Sequence, residues 1–283
     1  MNTEIFLNRY SKNTRRSYEG SINLFDTKFG IENIGTIKTI SLLEFQDELH
    51  KTMKASSVNA HFRNLKAFAN FLLNCEEISQ HYFGKVKSLK EEKKVPQYFT
   101  EEEIASILLV AKEEERLMFI VMLYTGVRRG ELINIKLSDI NDGILIVHGK
   151  GEKQREIPIS ENLAIEIENY MKTRKCDSEY LIVSRRKENG EQHQITESSV
   201  YTRMKSLAKR ANIDEKRISA IRPHNVRKTF ATYLIDENVG IETVQQLLGH
   251  GDITTTIKSY GSVRKKTKKV AVGTLNFGKK ENE

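Results

Sequence analysis

A chain of 283 residues, 38% of them hydrophobic, is long enough for two domains with ordinary cores, and 30% charge with three prolines excludes a disordered or collagen-like polymer. Cys75 and Cys176 stand outside any CxxC or Cys/His spacing, so neither a disulfide framework nor a zinc site is indicated. No apolar run reaches membrane-spanning length, and the opening MNTEIFLNRYSKNTRRSYEG lacks a signal-peptide core, so a soluble cytoplasmic protein is expected. The net charge of +8 and pI near 9.2 point to a polyanionic partner, nucleic acid ahead of an anionic membrane surface.

Residues 1–90 read as a small helical unit. After Asn13 and Thr14, Tyr18, Ile22, Phe25 and Phe29 recur at helical spacing. Ser41 with Glu44 has the form of a capping box opening a second helix through about Lys51. Ser56 and Ser57 precede a third amphipathic run, Val58, Phe62, Leu65, Ala69 and Leu72, whose other face carries Asn59, Arg63 and Lys66. With Lys12, Arg15 and Arg16 of the first helix, these are candidates to lie along DNA phosphates; the competing reading is a merely solvated face. The stretch SLKEEKKVPQ, 88–97, is charged and closed by a proline, and the linker is placed at 91–97.

From residue 98 the pattern changes. Thr100 and Glu103 form a capping box for a helix to about Lys112, and an apolar helix over Leu117–Tyr124 stops at Thr125-Gly126. VRRGEL, 127–132, opens another helix. Residues 143–147 and 155–159 alternate as two strands around the glycine-flanked turn GKGEK, 149–153. Residues 161–174 are helical, and Tyr180–Ser184 reads as a third strand. Thr196 caps a basic helix with Tyr201, Met204, Leu207 and Ala208 inside and Arg203, Lys205, Lys209 and Arg210 outside; Arg203 and Lys205 join the DNA-binding candidates. The fold class expected is mainly α with a small antiparallel sheet.

The stretch Arg222–Tyr260 concentrates chemistry. His224 and Arg227 share a helix face, His250 follows Gly249 where a second helix pattern stops, and Tyr260 ends a Thr-rich run. Guanidinium forks suit phosphate oxygens, and a phenol becomes a nucleophile only when its proton is taken or offset. With Arg128 and the hairpin lysine Lys150, the set contains what phosphoryl transfer to a tyrosine requires. Arg129 competes with Arg128, Lys153 with Lys150, and Tyr201 and Tyr233 with Tyr260, although the last two sit at apolar helical spacing that suggests a core. No acidic cluster suited to Mg²⁺ accompanies the set, which favours metal-free chemistry. After Tyr260 the tail holds seven basic and two acidic residues.

In this order the residues resemble the tyrosine recombinase (phage integrase) family. TGVRRGE supplies Arg128 and Glu131, GKGEKQREIP supplies Lys150, HNVR supplies His224 and Arg227, LGH supplies His250, and TTTIKSY supplies Tyr260. Residues 1–90 are similar to the family's SAM-like core-binding domain, and 98–283 to its mixed α/β catalytic domain with a basic tail. The compact plan resembles Xer-type recombinases and transposon resolvases. Lys228 stands where many relatives carry a second histidine after the arginine of the box. The resemblance implies site-specific recombination of double-stranded DNA by a homotetramer through a 3′-phosphotyrosyl bond. It implies no cofactor and leaves open an activating protein partner. In that reading the six residues are catalytic and Glu131 supports a catalytic histidine or arginine. A type IB topoisomerase-like cleavage without strand exchange, or a DNA-binding protein without catalysis, are the alternatives.

Overall fold

Where apolar residues recur every three to four positions, the chain forms helices that bury that stripe. In the computed structural model, residues 2–91, 98–149, 153–188, 191–218 and 221–249 are described. The chain divides into two compact units, residues 1–94 and 95–283.

In the first unit, α1 (Thr3–Leu7) leads into α2 (Lys12–Phe29), α3 (Thr39–Thr52) and α4 (Ala55–Asn74). The core is aromatic: Phe6, Phe25, Phe68 and Phe83 are at most 3% exposed, and Phe25 meets Phe29, Phe45 and Phe83 with ring centroids 5.2 to 6.4 Å apart. The helix starts differ from expectation. Helix α3 begins at Thr39 after Lys38, so Ser41 lies within its first turn and makes no cap. Helix α4 begins at Ala55 after Lys54, which puts Ser56 and Ser57 inside it. Helix α1 shows no sequence period because it is barely more than one turn.

The second unit is built around α6 (Glu113–Thr125), which follows α5 (Glu101–Val110). Six successive residues of α6, Leu117 to Met122, are at most 3% exposed; a helix apolar all round belongs in the middle of a core. The capping box at the start of α5 forms as expected, with the Thr100 hydroxyl accepting from the Glu103 amide and the Glu103 carboxylate from the Thr100 amide. Helix α6 ends at Gly126, whose φ of 61° suits a residue without a Cβ. A Cβ there would also lie 2.4 Å from Phe230 Cδ1.

Next come the single turn α7 (Arg129–Leu132) and an antiparallel sheet of β1 (Ile140–Asn141), β2 (Ile144–His148) and β3 (Gln154–Pro158), in the order β1-β2-β3. Leu145 opposes Ile157 and Val147 opposes Arg155, which sets the apolar face of the sheet against the core. Helix α8 (Glu161–Thr173) follows.

The expected third strand is displaced. Tyr180 makes only an isolated bridge to Lys136, and β4 (Val183–Glu188) pairs with β5 (Glu191–Gln194) as a separate hairpin. Helix α9 (Glu197–Arg210) is capped by Thr196, which accepts from the Ser199 amide. The short α10 (Glu215–Ile218) precedes α11 (Pro223–Asp236) and α12 (Ile241–Leu248). The last two share a small core of Ala231, Ile235, Val244 and Leu248.

Candidate active site

The site is organised by a buried carboxylate. Arg128 precedes α7, and three residues later, one helical turn on, Glu131 turns back toward it. Glu131 Oε2 accepts from the Arg128 backbone amide at 2.8 Å, and Oε1 from the Arg128 guanidinium at 2.7 Å. Arg155, inward-facing on β3, donates to both oxygens, at 3.1 Å to Oε1 and 2.7 Å to Oε2. Arg227 of α11 lies 4.0 Å from the same carboxylate. Glu131 is only 7% exposed. Burial by itself would raise its pKa, but the Arg155 and Arg128 hydrogen bonds and charge outweigh that and hold it down at about 2.

The three arginines also converge on the end of α12. Arg155 Nε donates to the Leu247 carbonyl at 2.8 Å, Arg227 donates to the Leu248 carbonyl, and Arg128 donates to the Gly249 carbonyl at 3.3 Å. These are the orphan acceptors of a helix C-terminus, met by cations as the dipole favours. Arg227 also donates to the Gly126 carbonyl at 2.6 Å, which ties the end of α6 to the end of α12. Gly249 closes α12 at φ 62°, and a Cβ there would sit 3.0 Å from Arg155 Cδ.

Arg227 is 2% exposed, whereas the Arg128 side chain is 46% exposed and reaches solvent. His224, in the first turn of α11, is also exposed. The protein packed around its ring, and then the charges of Lys228, Arg227 and Arg128, hold its pKa below the usual imidazole value. A neutral imidazole thus stands in a strongly cationic neighbourhood, suited to proton transfer beside a phosphate.

The structure therefore brings Arg128, Glu131, His224 and Arg227 together; Lys150, His250 and Tyr260 lie outside the described residues. The rivals fall elsewhere. Arg129 pairs with Glu197 of α9. Tyr233 is 38% exposed, and Tyr201 is half-buried under the Lys205 ammonium, 4.8 Å from its ring centre, so neither is the core residue expected.

Two expected DNA contacts are corrected. Asn59 is 3% exposed, and its amide is spent within its own unit, donating to the Leu89 carbonyl and the Glu91 carboxylate and accepting from the Leu89 amide. Arg203 is 9% exposed, against the Val183 carbonyl and 3.6 Å from Glu114. It lies on the buried stripe of α9 with Val200, Met204 and Leu207, while Lys209 on the face assigned to solvent stays exposed. Arg15 is engaged with Glu4, Glu19 and Asn8. Lys12, Arg16, Arg63 and Lys66 are exposed, and Lys205 is half-buried.

Sequence reasoning passed over Arg155. Its signal was present: on a strand of period two it shares a face with Ile157, and a charge on the apolar face of a strand has to meet a counter-charge.

The phage integrase family model matches residues 97–267, and the phage integrase N-terminal SAM-like domain model matches residues 4–75. Tyrosine recombinase XerC of Staphylococcus aureus (strain MSSA476) is 30% identical over 303 residues, spanning 99% of this chain and 98% of the relative. Two solved structures share the fold. A lambda integrase fragment, crystallised as a dimer bound to a COC′ core site, has a TM-score of 0.75 at 17% identity, covering 99% of this chain and 96% of that one. A Tn1549 transposon integrase fragment in complex with circular intermediate DNA has a TM-score of 0.77 at 19% identity, covering 93% and 94%. Among the described residues no helix is long and apolar enough to cross a membrane. With both family models matched in chain order and a full-length relative at that identity, the chain belongs to the phage integrase family of tyrosine recombinases, enzymes of site-specific recombination that break and rejoin DNA.

Proposed function

We propose that this chain recombines specific sites in double-stranded DNA through a covalent tyrosine intermediate, with Tyr260 as nucleophile. The phenolic oxygen attacks the scissile phosphorus, the P–O5′ bond breaks, and a 3′-phosphotyrosyl bond and a free 5′-hydroxyl result. Attack of a partner strand's 5′-hydroxyl on that linkage releases the tyrosine, and the phosphodiester energy is conserved throughout. Arg128, Arg227 and His250 stabilise the charge that develops on the non-bridging oxygens. His224 assists proton removal from the phenol, and Lys150 delivers a proton to the departing 5′-oxygen. Two duplexes with two strands each call for four protomers assembled on DNA. The exposed Lys12, Arg16, Arg63 and Lys66, with Lys205, are the phosphate contacts of this reading.

The observation that carries it is the anchoring of Arg128 and Arg227 to one buried carboxylate and to the carbonyls of Leu248 and Gly249, directly before His250 in the chain. A donor set fixed before substrate arrives stabilises a transition state without paying for reorganisation. The test is a nicked duplex carrying the segment the protein protects, from which a short flank diffuses away after cleavage. The wild type accumulates a covalent protein–DNA adduct, and Tyr260→Phe binds with similar affinity and forms none. An undiminished adduct in that variant assigns the nucleophile elsewhere.

A further inference from the structure

Arg155 is placed where one side chain can govern three things at once. Its guanidinium makes a two-pronged contact with Glu131, its Nε fixes the Leu247 carbonyl, and its aliphatic stem fills the space that Gly249 leaves by having no Cβ. The side chain is 11% exposed, so solvent screens these contacts little. Its strand position opposite Val147 gives it a stiff base.

The charge arrangement shows what would follow its loss. Arg128, Arg155 and Arg227 surround the single carboxylate of Glu131. With Arg155 in place, Glu131 is neutralised chiefly by a residue turned inward, and Arg128 keeps positive charge to present to solvent. Without it, the buried carboxylate would draw on Arg128 and Arg227 for its whole compensation, and both guanidiniums would be pulled toward Glu131. The last turn of α12 would lose one of its three cationic anchors in the same step.

We infer that Arg155 is a positioning residue of the active site: it holds Glu131 and the end of α12 so that the Arg128 and Arg227 guanidiniums are set for a phosphate. The inference deepens the proposed function and rests on that reading for its cleavage consequences. Its structural half, the hold on Glu131, stands apart from DNA.

Two arms test it in the full chain. In the first, the adduct on the nicked duplex is followed in single turnover. Arg155→Met binds the duplex within about threefold of wild type but forms adduct more slowly by on the order of 10², the cost of a misplaced donor set. Arg155→Lys, which keeps the charge but cannot reach both Glu131 and Leu247, falls between the two. The slowing in Arg155→Met relative to wild type eases as pH falls from 7 to 5, because protonating Glu131 releases its pull on Arg128 and Arg227, and the double variant Arg155→Met/Glu131→Gln loses that pH dependence.

In the second arm, urea midpoints are compared between pH 6 and pH 3 without DNA. The midpoint of Arg155→Met starts lower at pH 6 and falls less between pH 6 and pH 3 than that of wild type, because its Glu131 is held less far below its ordinary pKa, and in a Glu131→Gln background the two falls are equal. Adduct formation by Arg155→Met within threefold of wild type, binding and cleavage reduced equally with an unchanged pH profile, or coincident urea profiles would each overturn the inference. So would failure of both Arg155→Met and Arg155→Lys to fold, which would make the residue a plain structural support. If wild type itself forms no adduct, the proposed function fails, and the urea arm alone decides for or against the hold on Glu131.

Discussion

The two units bury different chemistry. In the first, the buried polar residues are Ser21, Gln46 and Asn59, all neutral, in a core dominated by phenylalanine rings. In the second, Glu115, Glu131, Asp139, Arg203 and Arg227 are all at most 9% exposed. Burying an ion costs several kcal/mol unless partners restore what water gave, so a chain that needs only stability has no reason to do it. The first unit behaves that way. The second carries most of its ions in two nodes: Glu115, held by Arg185 and Arg210, ties α6 to β4 and α9, and Glu131 organises the active site, while Asp139 stands apart with His148 and the Lys136 amide. The contrast teaches that buried charge marks where geometry must be fixed, and that apolar packing suffices elsewhere.

The largest break in that contrast comes from Arg227→Ala. It strips a buried donor from the Gly126 and Leu248 carbonyls and a cation from beside Glu131. Adduct formation should fall by on the order of 10³, and stability by about 3–5 kcal/mol, read by single-turnover cleavage and urea unfolding. A variant that cleaves normally would show the node to be ornamental.

Phe25→Ala tests the other side. The ring is fully buried among Phe29, Phe45 and Phe83, and its loss should cost about 3–5 kcal/mol, seen as faster hydrogen exchange in α2, α3 and α4. That cost should be the same at pH 4 and pH 7, because the ring's partners Phe29, Phe45 and Phe83 carry no charge at either. A strong pH dependence would contradict the neutral-core description.

Acid should separate the units without any mutation. Glu131 has its folded pKa at about 2, below its ordinary 4.5. Its contribution is therefore fully present above about pH 4.5 and is lost as pH falls toward 2, a change of about 3 kcal/mol at most. Glu103 and Glu115, also lowered by their arginine partners after burial has pushed the other way, act in the same direction. Hydrogen exchange, corrected for intrinsic rates, should lose protection first in α7, β3 and α12 as pH drops from 5 to 3. Earlier loss in α2 and α4 would reverse the comparison.

The smallest effects concern the two kinds of polar residue on α4. Asn59→Ala should cost about 1–3 kcal/mol by stranding the Leu89 backbone groups, while leaving the salt dependence of DNA binding unchanged. Lys66→Ala or Arg63→Ala should leave stability nearly untouched and lower the log–log salt slope by about 0.9 for each phosphate contact removed. A changed slope in Asn59→Ala would restore it as a surface contact.

What the sequence by itself determined is what repeats locally or is spelled in order. Helical stripes in α2, α4 and α6, the Thr100 and Thr196 caps, the Gly126 stop and the two strands around residues 149–153 follow from propensity and period, which act over a few residues. The order of Arg128, Glu131, His224 and Arg227 was also legible, because chemistry fixes residue type even when the fold is unseen. Only the tertiary structure decided the rest. Serines that fit a cap at Ser41 or Ser56 lost to helix starts chosen by packing, with the cap three and two residues earlier at Lys38 and Lys54. Arg203 and Asn59 have polar side chains on helices, and nothing local says that the Val183 carbonyl and Glu114, or Leu89 and Glu91, will take them up. Arg155 stands 24 residues from Glu131 and 92 from Leu247, and its part in the site exists only once β3 is laid beside α7 and α12. Burial and long-range pairing are properties of the assembled chain, and a period of two or of 3.6 carries no record of what lies across the gap.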